Sequence, residues 1–185
     1  MNEAPAGKRY GFEIKYYHLR LNGLTFPGFV KMASLMGVER WILLTRKNTL
    51  RKVVSAVIGN SSDYYHIRPG DKSKLNKLTL DVNKVQIETQ TRTLIEILRQ
   101  YDKDLKEAQN FLENKSVLNL MYEDHIEADP QVAYKQICNF IDVPDCKAEI
   151  TLKRTNPFAL RDMIENYDEV LEHLNGSPYT WMLDG

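Results

Sequence analysis

Apolar positions in this chain fall into short alternating or continuous runs, separated by longer stretches with helical spacing. Residues Gly11–Tyr17 alternate Phe12, Ile14 and Tyr16 against Glu13, Lys15 and Tyr17, which predicts a first strand. A helix is predicted from about Phe26 to Met36, ending at Gly37. Residues 41–45 (WILLT) are almost wholly apolar, the pattern of a strand buried on both faces in a parallel sheet. Asn48 then reads as an N-cap, with Leu50, Val53, Val54 and Val57 at helical spacing up to Gly59. Residues 60–80 are polar and turn-rich and read as a surface loop. Asp81 is expected to cap the longest helix, running to about Asn114 with Leu94, Leu98, Tyr101, Leu105, Ala108 and Leu112 on one stripe. Residues 116–121 (SVLNLM) form the next strand candidate. Asp129-Pro130 opens a helix that ends near Val143-Pro144, and Asn156-Pro157 repeats the signature before a last helix stopped by Asn175-Gly176. Strands separated by helices predict an α/β domain with a mainly parallel sheet.

Composition narrows the function classes. Twenty-five Lys and Arg balance twenty-five Asp and Glu, a net charge of zero, which argues against a nucleic-acid partner. With 43% hydrophobic and 27% charged residues, the 185 residues read as a single folded domain, 1–185. No apolar run approaches the ~18 residues of a membrane span, and the first fifteen residues lack the apolar stretch of a signal peptide. Two cysteines, Cys138 and Cys146, make no disulfide framework, so a reducing, cytoplasmic setting is expected. No His, Cys, Asp and Glu grouping has metal-ligand spacing, and no metal is expected.

The densest chemical signal is residues 45–55, TRKNTLRKVVS. A parallel strand here delivers Arg46 and Lys47 at its C-terminal end, where α/β folds bind ligands, and a helix starts within two residues. Arg46 offers a planar fork for a phosphate and Lys47 a point charge, while Ser55 lies two turns along the helix. The plainer account is that both cations solvate a strand end and Ser55 packs inside the helix. Glu123-Asp124, at the end of the later strand, reads as a structural cap rather than a base.

The block WILLTRKNTLRKVVS resembles the 3′-phosphate-binding strand–turn–helix of sulfotransferases that use 3′-phosphoadenosine 5′-phosphosulfate (PAPS). Asn48 and Ser55 keep the interval of that family, and the register puts Lys47 where the family usually has Arg. The segment GFEIKYYHL is similar to a strand of the bacterial carbohydrate (nodulation-type and trehalose-type) branch. The stretches MYEDHIEADPQVAYKQICNFIDVP and LKRTNPFALRDMIENYDEVLEHLNGSPYTWML are similar to its closing helices. The resemblance spans about residues 10–183. It implies a three-layer P-loop-NTPase-like sulfotransferase fold, with Arg46, Lys47 and Ser55 on the 3′-phosphate and Lys153 and Arg154 closing over the nucleotide. It implies His18 as the base candidate toward the acceptor hydroxyl, although the branch resembled most closely takes its base from a carboxylate; a satisfied strand-end histidine is the plainer account.

One departure stands out. The family's first strand, Gly/Ser-rich loop and helix, which cradle the 5′-phosphosulfate, have no counterpart in residues 1–30. The domain is therefore expected to be incomplete at its N-terminus relative to the family. Tyr64, Tyr65, His66 and Arg68 offer contacts for an acceptor sugar, or belong to an exposed loop; His125 and His173 read as solvated. The implied activity is sulfuryl transfer from PAPS to a hydroxyl of a carbohydrate or glycosylated metabolite. A catalytically inactive nucleotide- or protein-binding module and a purely structural scaffold are the alternatives.

Overall fold

The computed structural model describes residues 10–61, 75–87, 90–145, 147–151 and 156–184. The element order is α1 (Tyr16–Leu21), α2 (Phe26–Leu35), β1 (Arg40–Thr45), α3 (Thr49–Ser61), β2 (Val85–Ile87), β3 (Gln90–Arg92), α4 (Leu94–Leu112) and β4 (Ser116–Met121). A π-helical turn (Glu123–Glu127), α5 (Pro130–Phe140), α6 (Leu160–Met163), α7 (Tyr167–Leu174) and a 3-10 turn (Thr180–Asp184) follow. The architecture is mixed α/β: β1 and β4 form a two-stranded parallel sheet, and β2 and β3 an antiparallel one.

Several elements form where the sequence signals lie. Asn48 Oδ1 accepts from the Arg51 N–H at 3.1 Å and so caps α3. Asp129 Oδ1 accepts from the Gln131 N–H at 2.9 Å at the head of α5. Gly37, with φ of 89°, takes the left-handed turn that ends α2, and Gly176, at 72°, does so after α7.

Three expected elements are corrected. Residues 10–15 are irregular rather than a strand, and Tyr16–Leu21 is helical. Tyr16 stacks on Phe26 at 5.2 Å, and its hydroxyl donates to the Asp104 carbonyl at 2.7 Å, contacts that a helix provides and a solvated strand would not. Burial, reinforced by Glu107 and Asp104, holds that phenol well above its usual range. The longest helix starts at Thr93, not Asp81. Thr93 and Glu96 form a reciprocal capping box there, stabilising the helix start by about 1 kcal/mol. Asp81 instead closes a local turn, accepting from the N–H groups of Asn83 and Lys84. The single last helix is two, α6 and α7, separated where residue 164 bridges to Leu78.

Two apolar cores result. One joins α3, residues 78–82, β2, the first turns of α4, and α6, α7 and the final turn, with Leu50, Val54, Leu98, Met163 and Leu174 fully buried. The other joins α1, α2 and the far end of α4, against Trp41, Leu43 and Val117. A 19-residue helix is about 28 Å long, so α4 reaches both. The strand β1 faces only the second core. Successive strand side chains point to opposite sides, so Trp41 and Leu43 pack while Ile42 and Leu44 stay 43% and 54% exposed. The expectation of burial on both faces is therefore corrected: one face is open. No helix among the described residues is long and apolar enough to cross a membrane.

Candidate functional site

The site grows from strand register. Because β1 and β4 are parallel with Thr45 opposite Met121, the two chains leave the sheet side by side at their C-terminal ends. Arg46 and Lys47 therefore emerge beside Tyr122, Glu123 and Asp124. Arg46 lies over the Tyr122 ring, 4.6 Å from its centroid, with Nε 3.5 Å from Glu123 Oε1. The Lys47 ammonium sits 2.7 Å from Asp124 Oδ1. Glu123 also accepts from the backbone N–H groups of Lys47 (2.9 Å) and Asn48 (3.4 Å). A carboxylate thus rests on the first amides ahead of α3, the place where positive dipole ends favour an anion.

The two cations differ in burial. The Arg46 side chain is 21% exposed and the Lys47 side chain 50%. Arg46 Nε is buried with no hydrogen-bond partner, while Lys47 can swing away from a solvent-exposed pair worth little. Asn48 is committed to structure: its Nδ2 donates to the Met182 carbonyl at 2.6 Å, tying the C-terminal turn to the head of α3.

Ser55, on α3, meets Asn156. The Asn156 Nδ2 donates to Ser55 Oγ at 3.3 Å. Asn156 is 93% buried by its 7% exposure, and its Oδ1 has no partner. In the sequence Asn156 reads only as a helix-opening residue before proline; its contact with Ser55 is a tertiary fact with no local signal. Arg51 strengthens the same junction, donating from Nη1 to the Phe158 carbonyl at 3.0 Å. Lys153 and Arg154, three and two residues ahead of Asn156, lie outside the described residues, as do Tyr64, Tyr65, His66 and Arg68.

His18 stands in a helix, not after a strand. Its Nδ1 accepts from the Lys15 N–H at 3.2 Å, so the ring serves the start of α1, tilted against Tyr17. Among the described residues no hydrogen bond or ion pair joins it to Arg46, Lys47 or Ser55. His125 is also engaged, with Nδ1 accepting from the Met121 N–H at 2.9 Å, and the Nε2 of His173 is buried without a partner rather than solvated. Among the described residues no three His, Cys, Asp or Glu side chains gather as a metal site requires.

The chain matches no protein-family model and no solved structure. Over 53 residues it is 38% identical to the Ras-related protein Rab-11A of Dictyostelium discoideum. That stretch covers 29% of this chain and 25% of that protein, so the chain spans a quarter of that relative's length. The likeness is partial and does not bear on a sulfotransferase family.

Proposed function

We propose that this chain is a PAPS-dependent sulfotransferase domain of the three-layer, P-loop-like fold, acting on a hydroxyl of a carbohydrate or glycosylated metabolite. The observation that carries the reading is the β1–α3 junction. A parallel strand presents Lys47 at its end, the capped helix α3 follows at once, and Ser55 is met from the C-terminal half by Asn156. In this reading Lys47 and Ser55 bind the 3′-phosphate, Arg46 holds the clasp with Glu123, and Lys153 and Arg154 close over the nucleotide. The acceptor oxygen attacks sulfur as the sulfur–oxygen bond to the 5′-phosphate breaks; the proton passes to a base, and adenosine 3′,5′-bisphosphate leaves. His18 is the base candidate from the sequence, though its local bond to Lys15 would have to be given up. The chemistry is positioning and charge stabilisation, without a metal. Cysteine usage is in keeping with a cytoplasmic setting.

One observation favours a second reading, a catalytically inactive binding module. Glu123 and Asp124 already neutralise the basic pair, so an incoming phosphate must displace a carboxylate. Calorimetry separates binding from scaffold. Adenosine 3′,5′-bisphosphate should bind measurably more tightly than adenosine 5′-monophosphate, because only the former carries the phosphate that Lys47 and Ser55 would meet. Equal binding, or none for either, would remove the 3′-phosphate site from the account.

A further inference from the structure

The strongest unexplained feature is the Asn156 amide. Buried polar atoms almost always find partners, yet Asn156 Oδ1 is buried with none, while the Nδ2 on the same carbon donates to Ser55 Oγ at 3.3 Å. That donation fills an acceptor position of the Ser55 oxygen and leaves its hydroxyl hydrogen free to donate outward. The Ser55 hydroxyl therefore suits an anionic oxygen. The orphan Oδ1 beside it is an acceptor only; it repels an anion and requires a donor. Ser55 keeps part of its surface exposed, which gives a ligand an approach to the hydroxyl that Asn156 holds.

A ligand that satisfies both atoms carries a phosphate oxygen and a hydroxyl on neighbouring carbons. A ribose 3′-phosphate with a free 2′-hydroxyl has this pair. A 2′-deoxyribose 3′-phosphate has the anion without the donor, and a 5′-monophosphate has the hydroxyls without the anion next to them. We propose that Asn156 reads the 2′-hydroxyl through Oδ1, making the Ser55–Asn156 pair selective for a ribonucleotide 3′-phosphate over its 2′-deoxy counterpart. The inference rests on the 3′-phosphate reading given above and adds to it the sugar that the site selects. A polar group built to meet a hydroxyl rejects the analogue lacking it, because it is then left buried and unpaired.

The test uses the full 185-residue chain and two ligands, adenosine 3′,5′-bisphosphate and 2′-deoxyadenosine 3′,5′-bisphosphate, titrated in parallel by calorimetry. The expected result is tighter binding of the ribose form, on the order of tenfold. In Asn156→Ala the two ligands should bind alike, with the loss confined to the ribose form. Equal binding of both by the unaltered chain overturns the proposal and leaves the 3′-phosphate site standing. Failure of both ligands to bind overturns the 3′-phosphate reading, and this proposal with it. The unaltered chain decides the matter even where Asn156→Ala does not fold.

Discussion

The 185-residue chain on its own is expected to show little or no sulfuryl transfer when given PAPS and a mixture of sugar acceptors. The reason is electrostatic. A sulfuryl group in flight and the bridging oxygen it leaves need donors already in place, and residues 1–30 hold no glycine-rich loop to turn backbone N–H groups toward them. Losing one such donor typically slows an enzyme by on the order of 100- to 1000-fold, and residues 1–30 carry no motif for any of them. Binding at the 3′-phosphate end does not compensate, since holding ground and transition states equally well leaves turnover unchanged. Supplying a strand–loop–helix of that type, in cis or as a separate piece, should raise the rate. A radiolabelled transfer assay measures both arms; robust transfer by the unextended chain would mean that another segment cradles the phosphosulfate.

Arg46→Ala and Lys47→Ala should fail in different ways. Arg46 is mostly buried between the Tyr122 ring and Glu123. Removing it forfeits a desolvated cation–π contact of about 2 kcal/mol and leaves Glu123 with one cation fewer. A drop in melting temperature of roughly 5 °C or more follows for a domain of this size. Lys47 is half exposed, and its pair with Asp124 contributes little to the fold. Lys47→Ala should therefore keep its stability within about 0.5 kcal/mol and lose about 10- to 100-fold in affinity for adenosine 3′,5′-bisphosphate, the worth of one hydrogen bond to a charged group. Thermal melts and calorimetry on both variants separate the effects. A folded Arg46→Ala that loses binding while Lys47→Ala keeps it would shift the register by one residue.

Much of this arrangement is legible in local sequence, and what is not has identifiable physical causes. The strand 116–121, the caps Asn48 and Asp129, and the helix stops at Gly37 and Gly176 are local chemistry, and each forms where its residues stand. The N-terminal alternation of Phe12, Ile14 and Tyr16 misleads because three points cannot separate period two from a helix. The deciding contacts, Tyr16 with Phe26 and Asp104, come from elsewhere in the chain. The start of α4 was readable: Thr93-x-x-Glu96 is a capping box, and it outcompetes Asp81, whose carboxylate is taken by its own turn. Asp104 on the apolar stripe is held by Arg20 at 2.9 Å, a pairing 84 residues apart that no periodicity reveals.

The candidate site divides in the same manner. The residues of TRKNTLRKVVS are plain in the sequence, but the acids that neutralise them follow only once β1 and β4 are known to be parallel neighbours. Glu123 and Asp124 could be read as strand-end residues; that they grip Arg46 and Lys47 is a consequence of register. Asn156 carries no local signal for its bond to Ser55, because 101 residues separate them.

The central claim, a 3′-phosphate held between Lys47 and Ser55, is tested most directly by an amide-resolved NMR titration with adenosine 3′,5′-bisphosphate. Signals of Lys47, Asn48, Ser55 and Asn156 should shift together and saturate, while adenosine 5′-monophosphate at the same concentration leaves them in place. Saturable shifts confined to other residues, with these four unmoved, would contradict it.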